Sequence, residues 1–122
     1  MSEQKSIAIV GTHAGEHTEL AVMPFVIGTA ALASDVDATI ILQSMGVYLA
    51  QKGYAKHVHA ADFPELEELI ESFIELGGKI FVCGPCIKSR NISSDDLIEG
   101  AKVVNSPTVV ATIVDADGTV SY

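Results

Sequence analysis

Two residues of this chain carry nucleophilic chemistry, and they stand three apart. They are Cys83 and Cys86, the only cysteines of 122 residues, within Lys79-Ile80-Phe81-Val82-Cys83-Gly84-Pro85-Cys86-Ile87-Lys88-Ser89-Arg90. An apolar run ends in the first cysteine, Gly-Pro stops it, and a second cysteine and two cations follow. A strand that delivers Cys83 to a sheet edge, with a helical turn next whose free N–H groups face the sulfur, makes a thiol of lowered pKa and larger thiolate fraction. Lys88 and Arg90, folded back, would lower it further. The spacing also permits a reversible Cys83–Cys86 disulfide. Plain readings stand beside these. Free cysteine is among the most buried residue types, Cys86 can serve packing alone, and Arg90 can simply pair with one of the many carboxylates.

A structural zinc site needs four ligands, and the chain has only two cysteines and scattered histidines. A site shared between subunits through His57 and His59 would be the one way to complete it, so no metal and no other cofactor is expected. The loop Gly11-Thr12-His13-Ala14-Gly15-Glu16-His17 has two histidines that can tune a thiol or bind an anion, or can lie on the surface. It lacks the Lys-Ser/Thr ending of a P-loop and is not G-x-G-x-x-G, so phosphate binding is not indicated.

The rest of the chain supplies the elements that position these residues. Its length suits one domain spanning residues 1–122 with a real core. It is 48% apolar and 19% charged, which argues for a globular fold and against disorder. The net charge of −9 argues against a nucleic-acid or anionic-membrane partner. No signal peptide is expected from the polar start Met1-Ser2-Glu3-Gln4-Lys5, and the longest apolar stretch, 20–33, falls short of the roughly 20 residues of a bilayer span. A cytoplasmic setting follows, in which a cysteine pair is reactive or metal-binding rather than a structural disulfide.

Strands are expected at 6–10, 38–43, 79–83, 102–104 and 119–122, from short apolar or β-branched runs. A helix is expected over 18–34, with Thr18 as its N-cap and Pro24 kinking it or delaying its regular start. This helix is apolar on nearly every side, more than one sheet face requires, and the surplus reads as a subunit interface. Ser44-Met45-Gly46 turns the chain into a short helix over 47–52 that Gly53 ends. His57 and His59 would share one side of an extended segment. A helix is expected over 62–76, with Asp62 and Glu65 as a capping box and Leu66, Leu69, Ile70, Phe73 and Ile74 as its apolar stripe. Another short helix is expected from Ser93 through Gly100. Thr108 to Val114 is β-branched and reads as a strand on propensity, against a helix start at Ser106-Pro107.

The alternation gives an α/β fold with a mainly parallel sheet and helices on both faces. In such sheets, sites form at the carboxyl ends of the strands. Three of these ends carry Thr12-His13, Ser44-Met45-Gly46 and Cys83, and they converge if their strands are neighbours.

The whole chain resembles the DsrE/DsrF-like proteins of sulfur relay and sulfur oxidation. The resemblance rests on the apolar, Pro-containing first helix, Thr39-Ile40-Ile41-Leu42-Gln43-Ser44-Met45-Gly46-Val47-Tyr48-Leu49, Leu76-Gly77-Gly78-Lys79-Ile80-Phe81-Val82-Cys83, Cys86-Ile87-Lys88-Ser89-Arg90-Asn91-Ile92 and Gly100-Ala101-Lys102-Val103-Val104. It implies a three-layer α/β/α fold with about five strands, assembly into homotrimers or homohexamers, and a persulfide on Cys83. It also places a helix over 106–114. Cys-Gly-Pro-Cys is the thioredoxin tetrapeptide too, but the preceding Trp is absent and the order of elements differs, so the tetrapeptide reads as local convergence.

The function expected is therefore that of a sulfur carrier of sulfurtransferase type. Sulfane sulfur is held as a persulfide on Cys83 and collected by a partner thiol, with sulfur donor and acceptor proteins or small sulfur compounds as partners. Cys83 and Cys86 are the reacting thiols, and His13, Met45, Gly84 and Arg90 are the binding residues around them. The alternatives are a non-catalytic oligomeric module that binds a small molecule or a protein, and a dithiol–disulfide redox protein.

Overall fold

The computed structural model describes residues 4–122; residues 1–3 of the polar start lie outside the described residues. Five parallel strands form one sheet in the order β4-β3-β2-β1-β5. The strands are β1 (Ser6–Gly11), β2 (Asp37–Leu42), β3 (Lys79–Cys83), β4 (Ala101–Val104) and β5 (Gly118–Ser121). The helices are α1 (Thr18–Ala33), α2 (Leu66–Glu75), α3 (Gly84–Ser89) and α4 (Ser106–Asp115), with 3₁₀ turns at Ser44–Ala50, Ala55–His57 and Ser94–Asp96. The expected α/β/α architecture is the one observed, with every strand parallel.

Handedness explains where the helices lie. From β1 through β4 the chain steps along the sheet in one direction, and then crosses back past β1 to β5. Right-handed crossovers put connections that step in opposite directions on opposite faces. Accordingly α1 and α2 cover one face, where Ile9, Ile40, Leu42, Ile80 and Val82 meet Phe25, Ile70 and Phe73. Only α4 covers the other, where Ala8, Ile41 and Val104 meet Val109. The Ser-Pro start and the crossover outweigh the β-branched propensity of this last segment, and it is a helix as the resemblance implied.

Several local expectations change. The side chain of His17, not Thr18, caps α1 by accepting the Leu20 N–H at 3.3 Å, and the helix runs through Pro24 from Thr18. The capping box at Asp62 does not form. Asp62 has a left-handed φ of 69°, and Pro64 disfavours the helical region for Phe63, so α2 starts at Leu66. The segment after the cysteines is a single 3₁₀ turn rather than a helix to Gly100. Asn105 stands at the N-cap of α4, one residue before the expected Ser106.

The apolar surplus of α1 is taken up largely by α2. Phe25 and Phe73 meet edge to face with ring centroids 5.9 Å apart, a geometry that favours aromatic pairs. Gly28 allows the close approach, because a Cβ there would overlap the Phe73 ring. Among the described residues the large exposed apolar side chains are Leu76, Val103, Val110 and Val114, none of them on α1. No helix among them is long and apolar enough to cross a membrane.

Candidate functional site

Strands β1, β2 and β3 are neighbours, so the three strand ends do reach one edge of the sheet. Their register is level: Gly11 lies opposite Leu42, Leu42 opposite Val82, and Cys83 one residue beyond, opposite Val104. The loops beyond β1 and β2 interlock. Gln43 donates its N–H to the Gly11 carbonyl at 3.0 Å, and Gly46 lies so close to that carbonyl that no Cβ fits. This tight turn places Ser44 at a left-handed φ of 52°, a conformation that costs a non-glycine residue free energy and persists only where its surroundings impose it.

Cys83 ends β3 with extended geometry and occupies the N-cap position of α3. Pro85 in the first turn has no N–H to give and its ring fixes φ for the helix. The Cys83 side chain accepts no N–H of α3 as a cap, and Cys86 is the neighbour whose thiol and backbone N–H act on its ionisation. The Cys86 sulfur accepts the backbone N–H of Ser44 at 3.3 Å. Both cysteines are free and half-buried. Sequence reasoning brought the Ser44-Met45-Gly46 turn to the same edge as the cysteine pair, but did not find that Ser44 contributes a backbone N–H. The Ser-Met-Gly turn is a signal that a special conformation occurs there, but not of what it faces.

The expectation of a lowered Cys83 pKa is not met. Burial pushes the thiol above the ordinary cysteine range, and the side-chain hydrogen bond and the charge of Cys86 push the same way. The Cys86 N–H and the Arg90 guanidinium pull it down but do not prevail. The physical reason is that desolvation penalises the thiolate more than one N–H and one partly exposed cation compensate. Lys88 is exposed and is not among the groups acting on this sulfur, so of the two cations only Arg90 takes the expected role. Arg90 Nη1 donates to the Cys86 carbonyl at 3.1 Å and to Ser89 Oγ at 3.3 Å, which folds it back over α3. It has no carboxylate partner among the described residues.

The remaining expected residues have contacts of their own. Gly84 begins α3 close to the end of β4; a Cβ there would lie 3.1 Å from Asn105 Oδ1 and 3.3 Å from the Val104 carbonyl oxygen. Met45 is half-buried and packs on the main core beside Ser44. His13, 32% exposed, holds Glu16 Oε2 at 2.6 Å through Nδ1. Glu16 also accepts the Ala14 N–H. Burial raises the Glu16 carboxyl, yet that hydrogen bond and the His13 contact outweigh it and hold the pKa below the usual value. Glu16 is a second residue whose role sequence reasoning passed over, although its spacing of three from His13 was a usable signal. His17 is 5.5 Å from His13 between ring centroids and is committed to capping α1.

His57 closes a 3₁₀ turn, so the segment is not extended there, and His59 pairs with Glu65 at 3.3 Å. Among the described residues no group of three or more His, Cys, Asp or Glu side chains is placed to hold a metal ion.

Comparison with known proteins bears on the family and the fold. The sequence model of the DsrE/DsrF-like family matches residues 5–122. An uncharacterized protein of Methanocaldococcus jannaschii is 36% identical over 92 residues, which cover 75% of this chain and 77% of the relative. An uncharacterized protein of Methanopyrus kandleri is 32% identical over 92 residues, covering 75% and 73%. Among solved structures, the ychN protein of E. coli superposes with a TM-score of 0.82 at 20% identity, over 98% of this chain and 100% of that one. A protein of unknown function from Methanobacterium thermoautotrophicum does so with a TM-score of 0.70 at 17% identity, over 98% and 100%. These two likenesses concern the fold.

Proposed function

The chain belongs to the DsrE/DsrF-like family, and from that membership and the thiol pair at the sheet edge we propose that it carries sulfane sulfur. The sulfur rests as a persulfide on Cys83 and passes to a partner thiol, with sulfur proteins or small sulfur compounds as donor and acceptor. The observation that carries this reading is the pair itself. A buried strand ends in one free thiol, the second follows in the first turn of α3, and the Cys86 sulfur receives the Ser44 N–H. A donor of this kind stabilises anionic sulfur. Arg90 adds positive charge beside it.

In the loading step a thiolate of the pair attacks the outer sulfur of a donor R–S–SH. A new S–S bond forms to the protein, the donor's S–S bond breaks, and R–S⁻ leaves. Delivery is the same exchange with an acceptor thiolate attacking the outer sulfur of Cys83–S–SH. Neither step needs an oxidant or a reductant. The raised Cys83 pKa suits storage, because a more basic thiol is the poorer leaving group and retains its sulfur longer.

A second reading, dithiol–disulfide exchange, is favoured by two free thiols three residues apart across the β3–α3 turn. It requires both cysteines, whereas delivery of stored sulfur requires Cys83. We propose further that the protein works in the cytoplasm as a homo-oligomer, a trimer or a hexamer. Exposed Val110 and Val114 on α4 support self-association.

The test is incubation with polysulfide followed by mass spectrometry of the peptide that contains both cysteines. Reductant-sensitive gains of about 32 Da, one sulfur atom each, are expected on this peptide. They should be absent from the Cys83→Ser/Cys86→Ser double variant. Equal gains on that variant would remove the assignment.

A further inference from the structure

The geometry points to Cys86, not Cys83, as the attacking sulfur of the pair: it takes up the incoming sulfane sulfur and hands it to Cys83. This inference rests on the sulfur-carrier reading and adds an order to it.

Three observations carry the order. The Cys86 sulfur is the meeting point of two elements. It lies on α3, yet its donor is the Ser44 N–H from the loop after β2, at 3.3 Å. Ser44 reaches it with a left-handed φ of 52°, in a turn closed by the contact of Gly46 with the Gly11 carbonyl, where no side chain fits. A strained residue over-determined by its surroundings is a sign of a functional constraint, and here the strained residue presents its N–H to sulfur.

The second observation is the difference between the two sulfurs. The Cys86 sulfur accepts a backbone N–H, that of Ser44 at 3.3 Å, whereas the Cys83 side chain at the N-cap of α3 accepts none of that helix's N–H groups. Donors to the charged form favour it, and the thiolate is the attacking species.

The third concerns the onward step. Burial makes Cys83 more basic than an ordinary thiol. In thiol exchange the less basic sulfur leaves and the more basic one keeps its partner.

The steps balance. Cys86–S⁻ attacks the outer sulfur of R–S–SH, giving Cys86–S–SH and R–S⁻. The Cys83 sulfur then attacks that outer sulfur. A bond from Cys83 to it forms, its bond to Cys86 breaks, and the proton of Cys83 ends on Cys86. The products are Cys83–S–SH and Cys86–SH, with no net oxidation. Cys86 is then free to receive a second sulfur or to remain a thiol beside the stored one.

The experiment has two readouts on the full chain. In the first, limiting iodoacetamide at neutral pH is applied to the wild-type protein, and fragment-ion spectra assign the label within the shared peptide. Labelling of Cys86 is expected to be about tenfold faster than that of Cys83. Preferential labelling of Cys83 would overturn the inference, and needs no variant to fold. In the second, polysulfide loading is followed in time. Cys83→Ser is expected to load on Cys86 at the wild-type rate, and Cys86→Ser to load Cys83 about tenfold more slowly. Wild-type loading of Cys86→Ser would overturn the inference while leaving the carrier reading intact. Fast labelling of Cys86 with no sulfur on any form would remove the carrier reading and leave Cys86 as the attacking thiol of a redox pair.

Discussion

On the face covered by α1 and α2, large side chains interlock: Phe25, Phe73, Leu42 and Leu66 are fully buried, and glycines at 28 and 78 give way to the Phe73 ring. At the carboxyl edge of the same sheet, little apolar surface is used. The contacts there are a backbone N–H on the Cys86 sulfur, an arginine on a carbonyl, and a glycine pressed on a carbonyl. The first region is held by area removed from water, which tolerates small shifts poorly but demands no particular atom at a given point. The second is held by direction, since hydrogen bonds weaken steeply when misaligned. The difference teaches where mutations should separate stability from chemistry.

The sharpest way to break this division is Phe73→Ala. Removing a fully buried ring from the centre of the covered face should cost about 3–5 kcal/mol of stability. Denaturant unfolding would read it, and a cost near zero would refute the packing account. Gly46→Ala comes next. Its Cβ would collide with the Gly11 carbonyl, so backbone must shift, at about 1–3 kcal/mol. The Ser44 N–H should be displaced with it. Loss of fast thiol labelling beyond the loss of stability is the expected signature, seen by alkylation on the folded fraction.

Arg90→Gln should leave stability within about 0.5 kcal/mol, since Arg90 is bound only to a carbonyl and a hydroxyl of its own helix. Its removal takes away a charge that lowers the Cys83 pKa. Cys83 labelling should therefore fall at fixed pH, and unchanged labelling would show the guanidinium to be inert.

The smallest effects are in pH. The folded pKa of Cys83 is raised, so its contribution to stability is complete below the unfolded thiol's pKa and is lost as pH rises through the folded one. Glu16 has the opposite sign. Its folded pKa is lowered, and its contribution is present above the unfolded carboxylate pKa and lost as pH falls through the folded value. Thermal melts across both ranges should fall slightly at each end. The alkaline fall should disappear in Cys83→Ser and the acid fall in Glu16→Gln.

Much of the fold was legible because it is written in local patterns. The runs ending at Gly11, Leu42 and Cys83 read as buried strands, and the stripe from Leu66 to Ile74 as a helix face. The start of α2 was misread because Asp62 and Glu65 have capping-box spacing, while the φ that prevents it is not visible in spacing. The exposed valines of α4 could not be assigned to an outer face until the crossover was known. At the site, the cysteines and Arg90 were legible as types. The sign of the Cys83 shift was not, because burial depends on how the sheet edge is covered by chain distant in sequence. The role of Ser44 was invisible for a simpler reason: its backbone N–H is common to almost every residue, and only its position 3.3 Å from the Cys86 sulfur gives it a part in the site.

The central claim is that this edge stores sulfur and gives it away. The most direct measurement is single-turnover delivery from polysulfide-loaded protein, freed of excess donor, to an acceptor thiol without reductant. Intact mass should fall by about 32 Da as the sulfur appears on the acceptor, leaving both cysteines alkylatable. A fall of about 34 Da, with sulfide released and a Cys83–Cys86 disulfide left behind, would contradict the carrier account and support the redox reading.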